Sequence, residues 1–284
     1  MVLRQALSKA TKTLELKGME ESRLEAELLM RHVLGYNRAE LHIRLEDELP
    51  LEDTEELDRL VQRRLDGEPV AYITGHKEFF GLDFYVNSNT LIPRPETEFL
   101  VEEALKIVSK YRSPIIADIG TGCGAISVAM AVHIPQAVVY AIDISAPALE
   151  VAAFNSTRKG VASRVHLLEG DLLWPLGERV DLILANLPYV SDEKMGELSK
   201  EIRLFEPELA LSGGPDGLRQ ISRLLAQAGE KLNPKGSVLL EISPEQRKAA
   251  LNLANRYFPG AVTKVLPDLS RQDRVIIIKS SSWT

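Results

Sequence analysis

The fold is decided by the segment Ile115-Ile116-Ala117-Asp118-Ile119-Gly120-Thr121-Gly122-Cys123-Gly124-Ala125. Its first part is a mainly apolar run, which is typical of a buried parallel strand, and the apolar residues after Ala125 predict a helix. The glycines between them permit positive φ angles and let a ligand approach the backbone closely. Because the amides at a helix N-terminus point into the same space, the segment predicts a nucleotide-binding α/β domain.

The glycine loop is compatible with two kinds of ligand. Gly120, Gly122 and Ala125 satisfy the relaxed spacing of a dinucleotide-binding loop. Asp118, however, places a carboxylate beside the loop, where it would repel a pyrophosphate but suit an ammonium group, and Gly124 adds a third position of close approach. We therefore expect a cationic, sulfonium-bearing cofactor in contact with the residues Asp118, Gly120, Thr121, Gly122, Cys123 and Gly124.

Further apolar runs predict that this domain contains a seven-stranded sheet. Besides residues 115–119, they lie at 138–142, 165–168, 180–185, 237–242, 261–265 and 274–278. In open α/β sheets a ligand binds outside the carboxyl ends of the strands. Four of the runs lead to Gly120, Asp143, Asp171 and Asn186, so we expect these residues to share one cleft.

Acidic residues follow two of these runs. Asp143 lies about 20 residues beyond the glycine loop, where an acidic residue typically accepts hydrogen bonds from ribose hydroxyls. The alternative for Asp143 is a cap of the helix that begins near Pro147. Asp171 and Leu172 are expected to border the adenine of the cofactor, and a solvated turn carboxylate is the alternative for Asp171.

The tetrapeptide Asn186-Leu187-Pro188-Tyr189 predicts a clamp for a planar nitrogen nucleophile. The asparagine side-chain oxygen and the neighbouring carbonyls can accept hydrogen bonds from an NH2 group. The proline stiffens the turn, and the tyrosine can stack on a planar group. We predict Asn186, Pro188 and Tyr189 as catalytic residues, the whole tetrapeptide as substrate-binding, and Asn186 as a cofactor contact as well. An ordinary turn is the alternative.

The segment 91–98 carries two prolines and is expected to form a rigid wall of the cleft. It leads into a helix predicted from Phe99 to Lys110. Arg94 and Glu98 either position the loop by ion pairing or contact the ligand directly, and the sequence favours neither interpretation.

Composition disfavours several functional classes. The chain has 284 residues and a formal net charge of −7, and its pI is near 5.4, which opposes non-specific binding to nucleic-acid phosphates. Its single cysteine excludes an intramolecular disulfide and a cysteine-rich metal site, so we predict no bound metal. No apolar stretch reaches the roughly 18 residues of a membrane span, and the N-terminus lacks a signal-peptide pattern. We expect a cytoplasmic protein that does not contact membranes.

The N-terminal part of the chain has a different pattern from the rest. Leucines recur at helical spacing between Leu3 and Leu65, and glycines such as Gly35 terminate the predicted helices. We predict a small helical bundle over residues 1–68, a β-hairpin linker over 69–90, and the nucleotide-binding domain over 91–284. The acidic faces of the bundle either are solvated or recognise a partner protein. The polar residues 280–284 are expected to be frayed.

Together, Asp118-x-Gly120-x-Gly122-x-Gly124, Asp143 and Asn186-x-Pro188-Tyr189 resemble motifs of S-adenosylmethionine-dependent methyltransferases that modify amide or exocyclic amino nitrogens. The stretches 72–84, 91–98, 206–218 and 268–274 further resemble the protein-(glutamine-N5) methyltransferases of the HemK/PrmC family, which act on peptide chain release factors. The resemblance covers nearly the whole chain. It implies a Rossmann-like domain with an antiparallel last strand, S-adenosyl-L-methionine as cofactor, and a release factor as partner.

The resemblance also implies a role for each residue of the clamp. The Asn186 side-chain oxygen and the Leu187 carbonyl accept the two hydrogens of the glutamine amide, Pro188 shapes the turn, and Tyr189 packs on the substrate. The glutamine is that of a Gly-Gly-Gln motif. An amide nitrogen is a weak nucleophile, so orientation must supply most of the rate. The sequence departs from the family at Leu187, where proline is usual, and at residues 270–273, where a glycine is more common.

The sequence is compatible with three alternatives to a release factor methyltransferase. An adenine-N6 methyltransferase would use the same clamp, because adenine presents an NH2 group and is flipped into such a pocket; the acidic composition counts against it. A related enzyme that methylates a glutamine of a ribosomal protein is the second. The third is a binding module that kept the fold and lost catalysis.

Overall fold

The structure of the protein is a computed structural model that describes residues 1–279. The tail expected to be frayed lies outside the described residues. The α-helices are α1 (Leu3–Glu15), α2 (Ser22–Leu34), α3 (Arg38–Ile43), α4 (Leu51–Leu65), α5 (Val70–Thr74), α6 (Pro95–Val108), α7 (Ala125–His133), α8 (Ala146–Arg158), α9 (Lys200–Phe205), α10 (Arg219–Lys231) and α11 (Arg247–Tyr257). The strands are β1 (His76–Phe79), β2 (Leu82–Tyr85), β3 (Ile115–Ile119), β4 (Val138–Asp143), β5 (Val165–Glu169), β6 (Val180–Ala185), β7 (Val190–Ser191), β8 (Ser212–Gly214), β9 (Leu232–Glu241), β10 (Val262–Pro267) and β11 (Asp273–Lys279).

Residues 1–76 and 200–205 form one compact unit. Each of its first four helices contributes a nearly fully buried leucine to the core: Leu14, Leu29, Leu41 and Leu60. The buried Arg64 of α4 donates to Glu25 of α2 at 2.9 and 3.0 Å and pairs with Glu201 of α9 at 2.9 Å. The predicted N-terminal bundle is confirmed, and this ion pair attaches to it a helix that is distant in sequence.

The second compact unit comprises residues 77–199 and the described residues from 206 onwards. It contains a seven-stranded sheet with the strand order β10-β11-β9-β6-β3-β4-β5. β11 is antiparallel to both of its neighbours, whereas the pairs from β9 to β5 are parallel. The Rossmann-like sheet with an antiparallel last strand, which the resemblance implied, is confirmed.

Helices cover both faces of this sheet. Ile183 of β6 and Leu240 of β9 face a core that includes Leu224 of α10 and Ala254 of α11. Alternate residues such as Leu184 point to the opposite face and are also fully buried, where α6 packs against β6, β9 and β11. Burial on both faces explains why these strands are continuous apolar runs rather than alternating ones. Among residues 1–279, none of the helices combines the length and the apolar composition that a membrane span requires.

The hairpin is shorter than the sequence pattern predicts. Residues 70–74, expected in the hairpin linker, form helix α5, which starts after Pro69 and ends at Gly75 with φ 70°. The hairpin consists of β1 and β2, joined by Phe80 and Gly81 with φ values of 52° and 70°. Two consecutive positive φ angles are characteristic of the tight turns that connect such strands.

The segment 268–274 keeps a tight turn without a glycine. Arg271 adopts a φ of 61° and donates its amide to the Asp268 carbonyl at 2.9 Å. The Asp268 carboxylate accepts from the amides of Ser270 and Gln272 and from the Arg274 side chain, at 2.9, 3.0 and 3.1 Å. These bonds hold the left-handed conformation that a glycine would adopt more easily.

A buried asparagine joins the hairpin to the glycine loop. Asn155 of α8 is fully buried; it accepts from the Tyr85 amide at 2.8 Å and donates to the carbonyls of Tyr85 and Cys123 at 2.9 and 2.8 Å. Its amide therefore satisfies three backbone groups that would otherwise lack partners.

We predict that Asn155→Ala lowers the free energy of unfolding by about 2 to 4 kcal/mol, because buried backbone groups lose their partners. The exposed Asn255→Ala variant in α11 is the control and should change it by less than about 0.5 kcal/mol. Chemical denaturation followed by circular dichroism measures both. Equal stability of the two variants would show that the Asn155 bonds contribute nothing.

Candidate active site

A cavity opens at the carboxyl edge of the sheet in the second unit. Eight of the residues singled out from the sequence line it: Gly120, Gly122, Asp143, Asp171, Leu172, Asn186, Leu187 and Pro188. The predicted site residues Asp118, Thr121, Cys123, Gly124 and Tyr189 are not among the residues that line it. The structure thus brings the ends of β3, β4, β5 and β6 together in one cleft.

The glycine loop has three positive φ angles, 72° at Gly120, 55° at Gly122 and 82° at Gly124. A Cβ atom on Gly122 would meet no atom within 4 Å, so this position faces open space. A Cβ on Gly124 would lie 3.2 Å from the Ala152 side chain of α8. Gly122 therefore leaves room for a ligand, whereas Gly124 serves the packing of the loop against α8.

Asp118 is completely buried behind the loop rather than in the cavity. Its Oδ2 accepts from the Thr121 hydroxyl at 2.6 Å and the Ser127 amide at 3.0 Å, while Oδ1 has no hydrogen-bond partner. Burial raises the pKa of Asp118 to about 6. Asp118 and Thr121 hold the loop against the first turn of α7, and a contact with a cofactor ammonium stays a prediction.

Cys123 is also buried. Burial raises the pKa of its thiol to about 12, so the thiol is protonated near neutral pH. A protonated, buried thiol is a poor nucleophile. Cys123 therefore contributes to the loop as a small side chain that fits a buried position, and not as a nucleophile.

Asp143 lines the cavity and is also hydrogen-bonded to the glycine loop. One carboxylate oxygen accepts from the Gly122 amide and the other from the Ser145 amide, each at 2.9 Å. Burial raises the pKa of this carboxyl group. The cap of α8 is Ser145, whose hydroxyl accepts from the Ala148 amide at 3.3 Å. Asp143 is therefore not the helix cap, and its oxygens keep lone pairs for a ligand.

Asp171 and Leu172 lie on the side of the cavity formed after β5. The Asp171 carboxylate pairs with Arg223 of α10, which also lines the cavity. Leu172 is buried and has a φ of 53°, an uncommon conformation for a leucine. Arg223 was missed in the sequence because no local pattern marks a helix residue that pairs with a distant loop.

In the clamp, Leu187 is buried and packs against Gly120, where a Cβ atom would come within 3.3 Å of the Leu187 side chain. This contact restrains the turn at the position where the family usually has proline. The Tyr189 carbonyl accepts from the Gln246 side chain at 3.0 Å. Burial raises the pKa of the Tyr189 hydroxyl to about 12.

The Asn186 side chain is held by groups that sequence analysis did not assign. Its Nδ2 donates to the Thr97 hydroxyl at 2.9 Å, and that hydroxyl donates to Glu241 at 2.7 Å. Glu241 ends β9 and is nearly fully buried, which raises its pKa to about 7. An acidic residue at the end of an apolar strand was the signal that could have identified it, as it did for Asp143.

The segment 91–98 is held by protein contacts. Arg94 pairs with the buried Glu206, which also accepts from the Ile92 amide at 3.3 Å. Glu98 accepts from the Phe80 amide at 2.9 Å. Both side chains therefore position backbone segments, and neither is among the residues that line the cavity.

Among the described residues, no cluster of histidine, cysteine and acidic side chains has the arrangement of a metal site.

The sheet and the glycine loop form a Rossmann-like domain, and a family model assigns it to the methyltransferases. A family model described as Methyltransferase small domain matches residues 95–205, and one described as PrmC N-terminal domain matches residues 5–75. The crystal structure of a methyltransferase from Pyrococcus furiosus shares the fold, with a TM-score of 0.53 and 22% identity over 77% of this chain and 96% of the other.

Two curated relatives match almost from end to end. The release factor glutamine methyltransferase of Moorella thermoacetica is 43% identical over 278 residues, which is 98% of each chain. That of Rhodopirellula baltica is 39% identical over 272 residues, covering 93% of this chain and 92% of the relative. The chain therefore belongs to the release factor glutamine methyltransferase family, and the predicted resemblance to it is confirmed.

Proposed function

We propose that this enzyme transfers the methyl group of S-adenosyl-L-methionine to the side-chain amide nitrogen, N5, of a glutamine in peptide chain release factors. The glutamine is that of the Gly-Gly-Gln motif, and the reaction takes place in the cytoplasm. The observation that carries the proposal is the cavity itself, which is lined by Gly120 and Gly122 of the glycine loop and by Asn186, Leu187 and Pro188 of the clamp. The near full-length relatives support the choice of a release factor as substrate.

The residues of the cavity fit the proposed cofactor. Gly122 leaves open space beside backbone that a nucleoside can approach, and Asp143 offers carboxylate oxygens to the ribose hydroxyls. Asp171 and Leu172 border the place of the adenine. When bound, the sulfonium supplies the electrophilic methyl carbon. The chain's own residues then have to orient the acceptor nitrogen.

The clamp supplies that orientation. Asn186 and Leu187 both line the cavity. In the proposed mechanism, which the family resemblance implies, the Asn186 side-chain oxygen and the Leu187 carbonyl accept the two N–H groups of the glutamine amide. The nitrogen lone pair is thereby directed at the methyl carbon. A bound cofactor would supply the methyl carbon and keep the electron pair of the broken carbon–sulfur bond on its sulfur, and the methylated nitrogen would release one proton to water. No histidine is among the cavity-lining residues, in agreement with a reaction that needs no strong base.

A methyl-transfer assay with labelled cofactor tests the proposed function. Release factor, a release factor with the Gly-Gly-Gln glutamine changed to alanine, a ribosomal protein and an oligonucleotide are offered in parallel. We expect label only in the intact release factor and N5-methylglutamine in its digest. Label in the oligonucleotide or in the ribosomal protein alone would assign the enzyme to one of the other two substrate classes.

We predict that Asn186→Ala lowers methyl transfer on the order of a thousandfold while leaving cofactor affinity within a few fold, because Asn186 orients the acceptor. Steady-state rates and isothermal titration with the cofactor measure the two effects. Asn252→Ala, exposed on α11, serves as the matched control with unchanged rate. Parallel losses of cofactor binding and turnover in Asn186→Ala would contradict the orienting role.

We predict that Asp143→Ala weakens cofactor binding by about 1 to 3 kcal/mol, since buried hydroxyl and amide groups lose their acceptor. Titration calorimetry gives the affinity, and Asp192→Ala is the control because Asp192 is exposed. An unchanged affinity in Asp143→Ala would remove Asp143 from the cofactor site.

A further inference from the structure

The clamp asparagine is the first member of a chain of two hydrogen bonds that runs away from the cavity. Asn186 Nδ2 lies 2.9 Å from Thr97 Oγ1, and Thr97 Oγ1 lies 2.7 Å from Glu241 Oε2. Thr97 is 5% exposed and Glu241 is 1% exposed. The three residues come from the end of β6, the first turn of α6 and the end of β9, and only Asn186 lines the cavity.

The chemistry of the three groups determines which group donates and which accepts in each of the two hydrogen bonds. An ionised carboxylate only accepts hydrogen bonds, so the single hydroxyl proton of Thr97 is donated to Glu241. The Thr97 oxygen then has only lone pairs to offer to Asn186. Asn186 must therefore present its NH2 group to Thr97, which leaves its carbonyl oxygen at the opposite edge of the planar amide group.

This direction matters because the two ends of an asparagine amide are nearly equal in shape and differ only in their hydrogen bonding. If the Asn186 amide turned over, its NH2 group would face the NH2 group of the substrate, and two donors cannot bind each other. We propose that Thr97 and Glu241 are positioning residues that keep the Asn186 oxygen toward the acceptor amide. This inference rests on the proposed function and deepens it.

The groups around Glu241 define suitable assay conditions. Burial and Glu96 favour the neutral carboxyl group, whereas Thr97, Arg274 and the Tyr189 side chain favour the carboxylate. The resulting pKa is raised to about 7. An assay at about pH 9 keeps Glu241 ionised. Thr97 then donates its hydroxyl proton to Glu241 and accepts from the Asn186 NH2 group.

The test compares Thr97→Val with Thr97→Ser. Valine has the shape of threonine without the hydroxyl, whereas serine keeps the hydroxyl. We expect Thr97→Val to lower kcat toward a release factor on the order of tenfold, because a lost hydrogen bond lets the amide turn over. Cofactor affinity should stay within about twofold, and Thr97→Ser should recover most of the rate. Thr97→Ala replaces Thr97→Val if that variant does not fold.

A matched control comes from the N-terminal unit. Thr74 is 8% exposed and its hydroxyl donates to the Val70 carbonyl at 2.9 Å. Thr74→Val therefore removes a similarly buried hydroxyl whose hydrogen bond lies within its own helix, and its kcat should equal that of the wild type.

A double-mutant comparison separates positioning from general damage. In single-turnover measurements with the Asn186→Ala background, adding Thr97→Val should not lower the residual rate further, because the side chain being oriented is absent. The same fold loss in both backgrounds, or a kcat of Thr97→Val equal to that of the wild type, would overturn the positioning role. So would a parallel loss of kcat and cofactor affinity. Wild-type enzyme that does not methylate a release factor would overturn the proposed function, and the positioning role with it.

Discussion

The parallel pairing of β3 with β4 and β6 is the constraint on which the rest of the structure depends. In this register Ile119 lies opposite Ile142 on one side and Ala185 on the other. The residues that follow these three positions, Gly120, Asp143 and Asn186, are therefore placed at one edge of the sheet. Because parallel strands all end at the same edge, the cofactor loop and the substrate clamp are brought together by the sheet itself.

Hydrogen bonds of buried polar side chains fix the positions of the loop and the clamp at that edge. A buried polar side chain costs free energy unless it is hydrogen-bonded, so each one has a single well-defined set of partners. Asn155 connects the loop to the hairpin, Asp118 connects it to α7, and Thr97 connects Glu241 to the clamp. One carboxylate oxygen of Asp118 has no hydrogen-bond partner, and burial raises the pKa of the group. Both observations show that burying this carboxylate is energetically unfavourable.

Residues whose role follows from their neighbours in the chain could be predicted. The apolar runs, the glycine loop and the clamp are local patterns, and the seven strands of the large sheet and eight of the residues that line the cavity follow from them. Helix α5 was missed because alternating aromatic residues outweighed the capping signals of Pro69 and Gly75. Thr97 was noticed only as part of a rigid wall, because its partners lie 89 and 144 residues away in the sequence.

The sequence by itself determined the class of fold, the order of the strands along the chain and the chemistry presented at the end of each strand. Those properties depend on backbone preferences and on the burial of apolar runs, which are local. Only the tertiary structure decided that Asp118 lies behind the loop, that α9 packs with the bundle, and that Glu241 stands behind the clamp. These placements depend on which distant polar groups satisfy each other on burial, and a single strand or helix does not contain that information.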